Sequence, residues 1–361
     1  MAGSNTTELF IPTPPYHIPE SMVFGYPWRL SASHEILPER IISNAQDVDP
    51  GVIRIEVGPG ISHASGGPSK NPLKLLRAHS TLWLGDRFVF DARFETTRNM
   101  AHQFRHVLAA VVLARKSLTP VLGEEPEIHV VFDTRASTMA KEIYRIAGIP
   151  TILSDARVEG RIVKVTRPDL ISRSAGKVRH SGSGSIFALL PEIFRDMRIG
   201  DPATDVPEKV FIARKSTRFL LNDDEITKLL ESRGFTKYYF EDIPVSQQFQ
   251  IMANACQIVA IHGAALAPMA LNKRGLALAP GNLSGLKLVE LFGPGYQVDG
   301  YRRCAAVLNA HWCAVRGKIT PRVLRDLDER GLVRSHEKSP FLVDPATVEM
   351  ALEYSDRAGA V

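Results

Sequence analysis

The sequence predicts an α/β protein made of two halves, each built on a parallel, doubly wound sheet. Two observations carry that reading. Short runs of β-branched and apolar residues alternate with segments whose apolar residues recur at helical spacing, as parallel strands joined by helical crossovers require. The 361 residues also suffice for two domains, which usually hold about 100–200 residues each.

Residues 1–50 are Pro-rich at their start and read as irregular. Val52–Val57 and Leu82–Phe90 read as strands, with Gly85-Asp86 as a candidate hairpin turn in the second. From Asn99 the period changes: Phe104, Val107, Leu108, Val111 and Val112 mark one face of a helix. "IHVVF" (Ile128–Phe132) reads as a buried strand, "STMAKEIYRIAGI" as a helix stopped by Gly148, and "RIVKV" (Arg161–Val165) as a further strand.

"SRSAGKVRHSGSGS" (Ser172–Ser185) breaks the alternation with Gly, Ser and basic residues, as an interdomain linker or loop does. Beyond it, "KVFIARK" is a strand and "NDDEITKLLESRGF" a helix, with Asn222 at its N-cap and Gly234 at its stop. "KYYF", "QIVAI", "KLVELF" and "HWCAV" are strands, separated by helices over "VSQQFQIMANA" and Val298–Leu308, and "DPATVEMALEYSDRA" is a closing helix. The expected domains are 1–180 and 181–340, with 341–361 as the closing helix, and ligands of such a two-domain protein bind in the cleft between its halves.

Composition excludes several classes. The three cysteines, Cys256, Cys304 and Cys313, form no C-x-x-C pair, which argues against a disulfide framework or zinc knuckle and for a reducing compartment. The net charge of +5 suits an anionic small molecule or an anionic membrane surface and does not call for nucleic acid. No run reaches the roughly 18 apolar residues of a membrane span. The start "MAGSNTTELFIPTPPYHIPE" has neither the basic nor the apolar part of a secretory signal, so a cytoplasmic location is expected, compatible with peripheral contact at the inner membrane.

Four clusters carry candidate chemistry. "VAIHGAALAP" sets His262 and Gly263 at the end of a strand, before the small residues Ala264 and Ala265; a helix starting there offers unpaired N–H groups to an anion. A packed turn with a core histidine explains the same residues. "ARKSTRF" places Arg214, Lys215 and Arg218 at another strand end, suited to a diphosphate or equally to a solvated turn. Glu290 lies among apolar residues in "KLVELF" and must be paired, by ribose hydroxyls or by a salt bridge. In "RNMAHQFRH", His102 and His106 share a helical face; with no acidic third ligand at zincin spacing, a metal is not expected. His102 suits a general base, and Asp91 and Glu95 just upstream are rival bases.

In their order along the chain, "ARKSTRFLLNDDEI", "SQQFQIMANACQIVAIHGAALAPMAL", "KLVELFGPGY" and the late His311-Trp312 strand resemble glycosyltransferase family 61 over about residues 208–315, and more weakly at "NMAHQFRHVL". The resemblance implies a GT-B fold, two Rossmann-like domains facing across a cleft, and transfer of a sugar with inversion from a nucleotide-sugar donor to a hydroxyl of a glycan or glycolipid. Arg214 and Arg218, with Lys215 beside them, would hold the donor diphosphate. His262, Gly263, Ala264 and Ala265 would form the phosphate-facing turn, and Glu290 would bind the ribose. Members of this kind rely on basic groups and helix ends, so no cofactor or metal is expected. The absence of a signal and the three cysteines point away from lumenal, secreted-pathway members, and a role in bacterial cell-surface polysaccharide synthesis is expected. Two positions depart from the pattern: Asp223-Asp224 stands where a Glu is usual, and Gln103 where an aromatic is common. A nucleotide-binding protein without activity is the alternative from another class; a Rossmann-type oxidoreductase is disfavoured because no G-x-G-x-x-G follows a strand.

Overall fold

The strand–helix alternation read from the sequence builds two α/β units, each with its own sheet, in the computed structural model. The structure describes residues 6–25, 39–62, 80–166, 186–199, 206–277, 285–294, 298–321, 325 and 338–357, with backbone alone in 39–43. The linker expected at Ser172–Ser185 lies outside the described residues, as does the end of "KLVELFGPGY".

The units divide differently from the expected domains. The first comprises Met1–Tyr16 and Val48–Gly200, the second His17–Asp47 and Asp201–Val361. The N-terminal fifty residues are therefore not irregular: they contribute strands Thr7–Thr13, Tyr16–Ile18, Ser21–Gly25, Glu39–Ser43 and Gln46–Val48. Ser21–Gly25 joins the second unit's sheet because Val23 and Phe24 are buried there. The buried Arg302 ties the same segment down by donating to the carbonyls of Pro19 (2.6 Å) and Asn44 (2.8 Å). Pro-rich composition hid Thr7–Thr13, which carries Pro12, because an edge strand tolerates proline.

The first unit's sheet runs Thr7–Thr13, Gly51–Ser62, Arg157–Thr166, Thr81–Asp91, Ile128–Phe132, Thr151–Leu153. Its last four strands are parallel, but Gly51–Ser62 is antiparallel to both neighbours, so this half is mixed rather than wholly parallel. The hairpin expected at Gly85-Asp86 is absent: Thr81–Asp91 is one strand. Gly85 has a left-handed φ of 61°, and the register slips from Glu159↔Trp83 to Arg161↔Phe88, so the glycine makes a bulge.

The second unit's sheet runs Thr236–Tyr239, Lys209–Ala213, Gln257–Ile261, Lys287–Phe292, His311–Arg316, Ser21–Gly25, Glu39–Ser43, parallel except at the last pair. Because side chains alternate along a strand, Phe211, Ala213, Val259, Ile261, Val289, Leu291, Cys313 and Val315 all face one core. The closing helix, Pro345–Arg357, lays Val348, Ala351 and Leu352 into it. The opposite face carries Ala260, His262, Glu290 and Trp312, and it is there that the polar residues gather.

Candidate functional site

Glu290 stands between Ala260 and Ala314 on the neighbouring strands, and two alanines leave room for a carboxylate to reach sideways. One oxygen meets Nδ1 of His262 at 2.5 Å; the other accepts from the indole Nε1 of Trp312 at 2.9 Å. Glu290 has no exposed surface and His262 only 7%. The ribose contact expected of Glu290 is thereby corrected: a carboxylate without exposed surface, holding two protein donors, is an internal clamp. It fixes the His262 ring, which also stacks on Phe292 at 4.9 Å and lies 5.7 Å from Tyr301.

At the turn itself, Arg214 Nη1 and Arg218 Nη1 both reach the His262 carbonyl, at 3.3 and 3.4 Å. Gly263 is extended (φ 166°, ψ 179°), so its conformation does not require glycine. What the glycine permits is the approach of Arg214: a Cβ would lie 2.0 Å from its Nη1 and would displace the guanidinium. Arg214 donates to Thr217 Oγ1 at 3.1 Å, while its buried Nε has no partner. Among the described residues no carboxylate lies within ion-pair distance of Arg214. Burial first, and the neighbouring Arg218 second, lower its pKa. Two guanidinium groups crowded on one carbonyl, one of them half-buried with only the more distant charge of Glu241 to offset it, leave room for an anion. Arg218 is held with a left-handed φ of 59°, which costs a non-glycine residue energy, and its N–H donates to the Lys338 carbonyl at 3.1 Å.

Lys215 is not part of this group: it is exposed, ion-paired with Asp242, and lies 4.8 Å from the Tyr239 ring. Ala264 and Ala265 are partly exposed and open a 3-10 helix, Ala264–Leu271, in place of the expected α-helix. Asn222 stands at the N-cap of the helix Asp223–Ser232, as expected, but makes no side-chain cap bond; its amide donates to Glu225 (2.8 Å) and to the Val343 carbonyl (2.9 Å).

In the first unit the expected bases separate. Asp91, at the end of its strand, is bound twice by Arg93 (2.9 and 2.7 Å) and also accepts from Ser62. Arg93 is buried and also donates to the carbonyls of Ser154 and Ala156. Asp91 is therefore corrected from base to anchor of this loop. Glu95 lies a few residues on, in the same loop. Its Oε1 meets His102 Nδ1 at 2.7 Å and its Oε2 meets His106 Nδ1 at 2.6 Å, with the two rings 5.0 Å apart. Burial alone would raise Glu95, yet the bonds from His102, His106 and the Thr96 N–H hold it well below the usual carboxylate range. It is an ionised group that orients two imidazoles.

Local sequence explains the placement. The Asn99 side chain caps the helix by accepting from the N–H of Ala101 (3.0 Å) and His102 (3.3 Å). The next turn, Gln103–Leu108, is π-helical, a form frequent at functional sites, before an α-helix over Ala109–Leu122. Gln103, where the resemblance expects an aromatic, is fully buried: it donates to the Thr96 carbonyl (3.0 Å) and accepts from Tyr144 (3.0 Å), bracing the Glu95 loop. Zincin spacing looks for an acidic ligand along the helix; Glu95, which meets both histidines, comes from the preceding loop. Sequence reasoning also missed Trp312 and Tyr301; the first was visible only as part of the His-Trp strand.

A family model described as Glycosyltransferase 61 matches residues 68–278, more than half of the chain. The match takes in Asn99–His106, Arg214–Arg218 and the His262 turn, and ends before Glu290. No curated protein matches in sequence. Among solved structures, the dodecameric iron-containing heptosyltransferase TibC in complex with ADP-D-beta-D-heptose is similar at 10% identity over 98% of this chain and 94% of that one; its TM-score of 0.37 is too low to argue from.

Proposed function

This chain belongs to glycosyltransferase family 61, and on that premise we propose that it moves a sugar, with inversion, from a nucleotide-sugar donor to a hydroxyl of a glycan or glycolipid. The observation that carries the donor assignment is Arg214, a half-buried guanidinium with a buried, orphan Nε and no carboxylate within ion-pair distance among the described residues. A diphosphate supplies the missing charge and acceptors, with Arg218 beside it and the N–H groups of Ala264 and Ala265 at the opening of the turn.

Inverting transfer forms a bond from the acceptor oxygen to the sugar's anomeric carbon as the bond to the diphosphate breaks. The acceptor proton goes to a base, and the charge left on the diphosphate falls to Arg214 and Arg218. His102 is our base: with Nδ1 held to Glu95, its Nε2 takes the proton, and the carboxylate stabilises the imidazolium formed. The charge on the leaving group is met by guanidinium, so this step needs no metal. We further propose work on cell-surface polysaccharide at the cytoplasmic face of the membrane; among the described residues no helix is long and apolar enough to cross it.

A thermal-shift panel of UDP, GDP, CMP and NAD on the full chain tests the donor reading. Stabilisation by one nucleotide, lost in Arg214→Gln, is expected, since a ligand that binds only the folded state raises its melting temperature. A response to NAD alone would overturn the proposal.

A further inference from the structure

Among the described residues, Glu95, His102 and His106 are the one group of three metal-ligating side chains whose ligand atoms all lie within 4.8 Å of one another. We propose that this cluster binds one divalent transition-metal ion, Zn2+ foremost, and that the ion competes with the acceptor's proton for His102. The binding site stands on geometry alone; the competition rests on the base assignment above.

A base needs one carboxylate to orient it, and Glu95 already does this for His102. His106 on the second oxygen is then unexplained by transfer, whereas two imidazoles and a carboxylate are a donor set for zinc and its neighbours in the first transition row. The ligands sit on a stiff frame: Asn99 caps the helix that carries the histidines, and Gln103 braces the loop that carries Glu95. Their side chains are 14–26% exposed, enough for an ion to enter and for water to take a fourth position.

Little movement is needed. Zinc at about 2.0–2.1 Å from each tetrahedral ligand spaces the ligand atoms about 3.3 Å apart. The present N···O distances are 2.7 and 2.6 Å, so side-chain rotations must open these pairs by about 0.6–0.7 Å, and all three ligand atoms already lie within 4.8 Å of one another. Protons balance: a neutral imidazole moves its proton from Nδ1 to Nε2 as Nδ1 takes the metal, and an imidazolium releases one proton to water. With zinc on Nδ1 and a proton on Nε2, His102 has no lone pair left for the acceptor's proton.

Calorimetric titration of the chelator-stripped full chain with ZnCl2 tests the site. One ion per chain is expected, with Glu95→Gln and His106→Gln each weakening it about tenfold or more. His17→Gln, at an exposed pair with Asp47, should leave it unchanged. No stoichiometric binding, or undiminished binding in His106→Gln, would sink the site. Should the variants fail to fold, Co2+ added to the unaltered chain decides: intense visible bands of a four- or five-coordinate ion support it, and the weak band of hydrated Co2+ overturns it. In a transfer assay zinc should inhibit over its binding range and EDTA should restore activity; bound zinc without inhibition overturns the competition. The nucleotide response at Arg214 is read separately, so its failure strikes the donor assignment and leaves the zinc result standing.

Discussion

Each unit contains a histidine whose Nδ1 meets a glutamate, and the two pairs differ in what holds the second carboxylate oxygen. In the second unit that partner is the Trp312 indole, and Glu290 has no exposed surface. In the first it is His106, and all three side chains keep some exposure. An indole N–H neither titrates in water nor binds a metal, so the Glu290 arrangement has one state and serves as a strut. An imidazole does both, so the Glu95 arrangement can change state. On the proposed mechanism the same residue pair is a structural clamp in one place and a reactive centre in the other, and the second donor with its burial distinguishes them.

The largest expected effect breaks the clamp. Glu290→Ala leaves the His262 and Trp312 donors buried without an acceptor, and should cost about 3–5 kcal/mol in denaturant unfolding. Glu95→Gln should divide its effect differently: a smaller loss of stability, about 1–2 kcal/mol, because the amide oxygen still accepts and the partners reach water, and a turnover about 10²–10⁴-fold lower, as expected for loss of an oriented base. His102→Ala should match that turnover loss. If Glu290→Ala proved as harmless to folding as Glu95→Gln, the distinction between clamp and reactive centre would collapse.

A middle-sized effect belongs to the turn that the clamp supports. Gly263→Ala should push the Arg214 guanidinium aside, because the new methyl would meet Nη1 at 2.0 Å. The loss of charge-assisted bonds to phosphate should weaken nucleotide binding about 10–100-fold, read as a reduced thermal shift. Arg214→Gln should do the same, and the double variant little more, since both act on one contact.

Much of this was legible in the sequence where a local rule governs the outcome. Alternating apolar runs gave the two α/β units, and the strand at Ile128–Phe132 falls where it was read. The His-Gly turn and Arg214 and Arg218 do come together, because adjacent parallel strands end side by side. What stayed hidden depends on partners distant in the chain. Glu290 looked open to a ribose until Trp312, 22 residues on, was seen to hold it. Asp91 looked like a base because nothing in its spacing shows that Arg93 folds back on it. Gln103 looked like a departure from pattern, and only its bonds to Thr96 and Tyr144 show it as a brace.

The smallest effect comes from a third histidine, with which no carboxylate pairs among the described residues. His311 packs 5.0 Å from the Tyr354 ring, and its buried Nδ1 has no partner. Burial first, and the charge on Lys287 second, push its pKa down to about 4 from 6.5. The folded state therefore resists a proton that the unfolded chain accepts, so this site contributes no penalty above pH 6.5 and costs stability progressively as pH falls from 6.5 to about 4. At pH 5 the loss should be about 1–2 kcal/mol. His311→Phe removes the titrating group, so the difference in unfolding free energy between the two chains should be flat above pH 6.5 and shift in the variant's favour below it. A difference independent of pH would mean that His311 is charged or solvated in the fold, and that a histidine here needs no carboxylate partner to keep its proton.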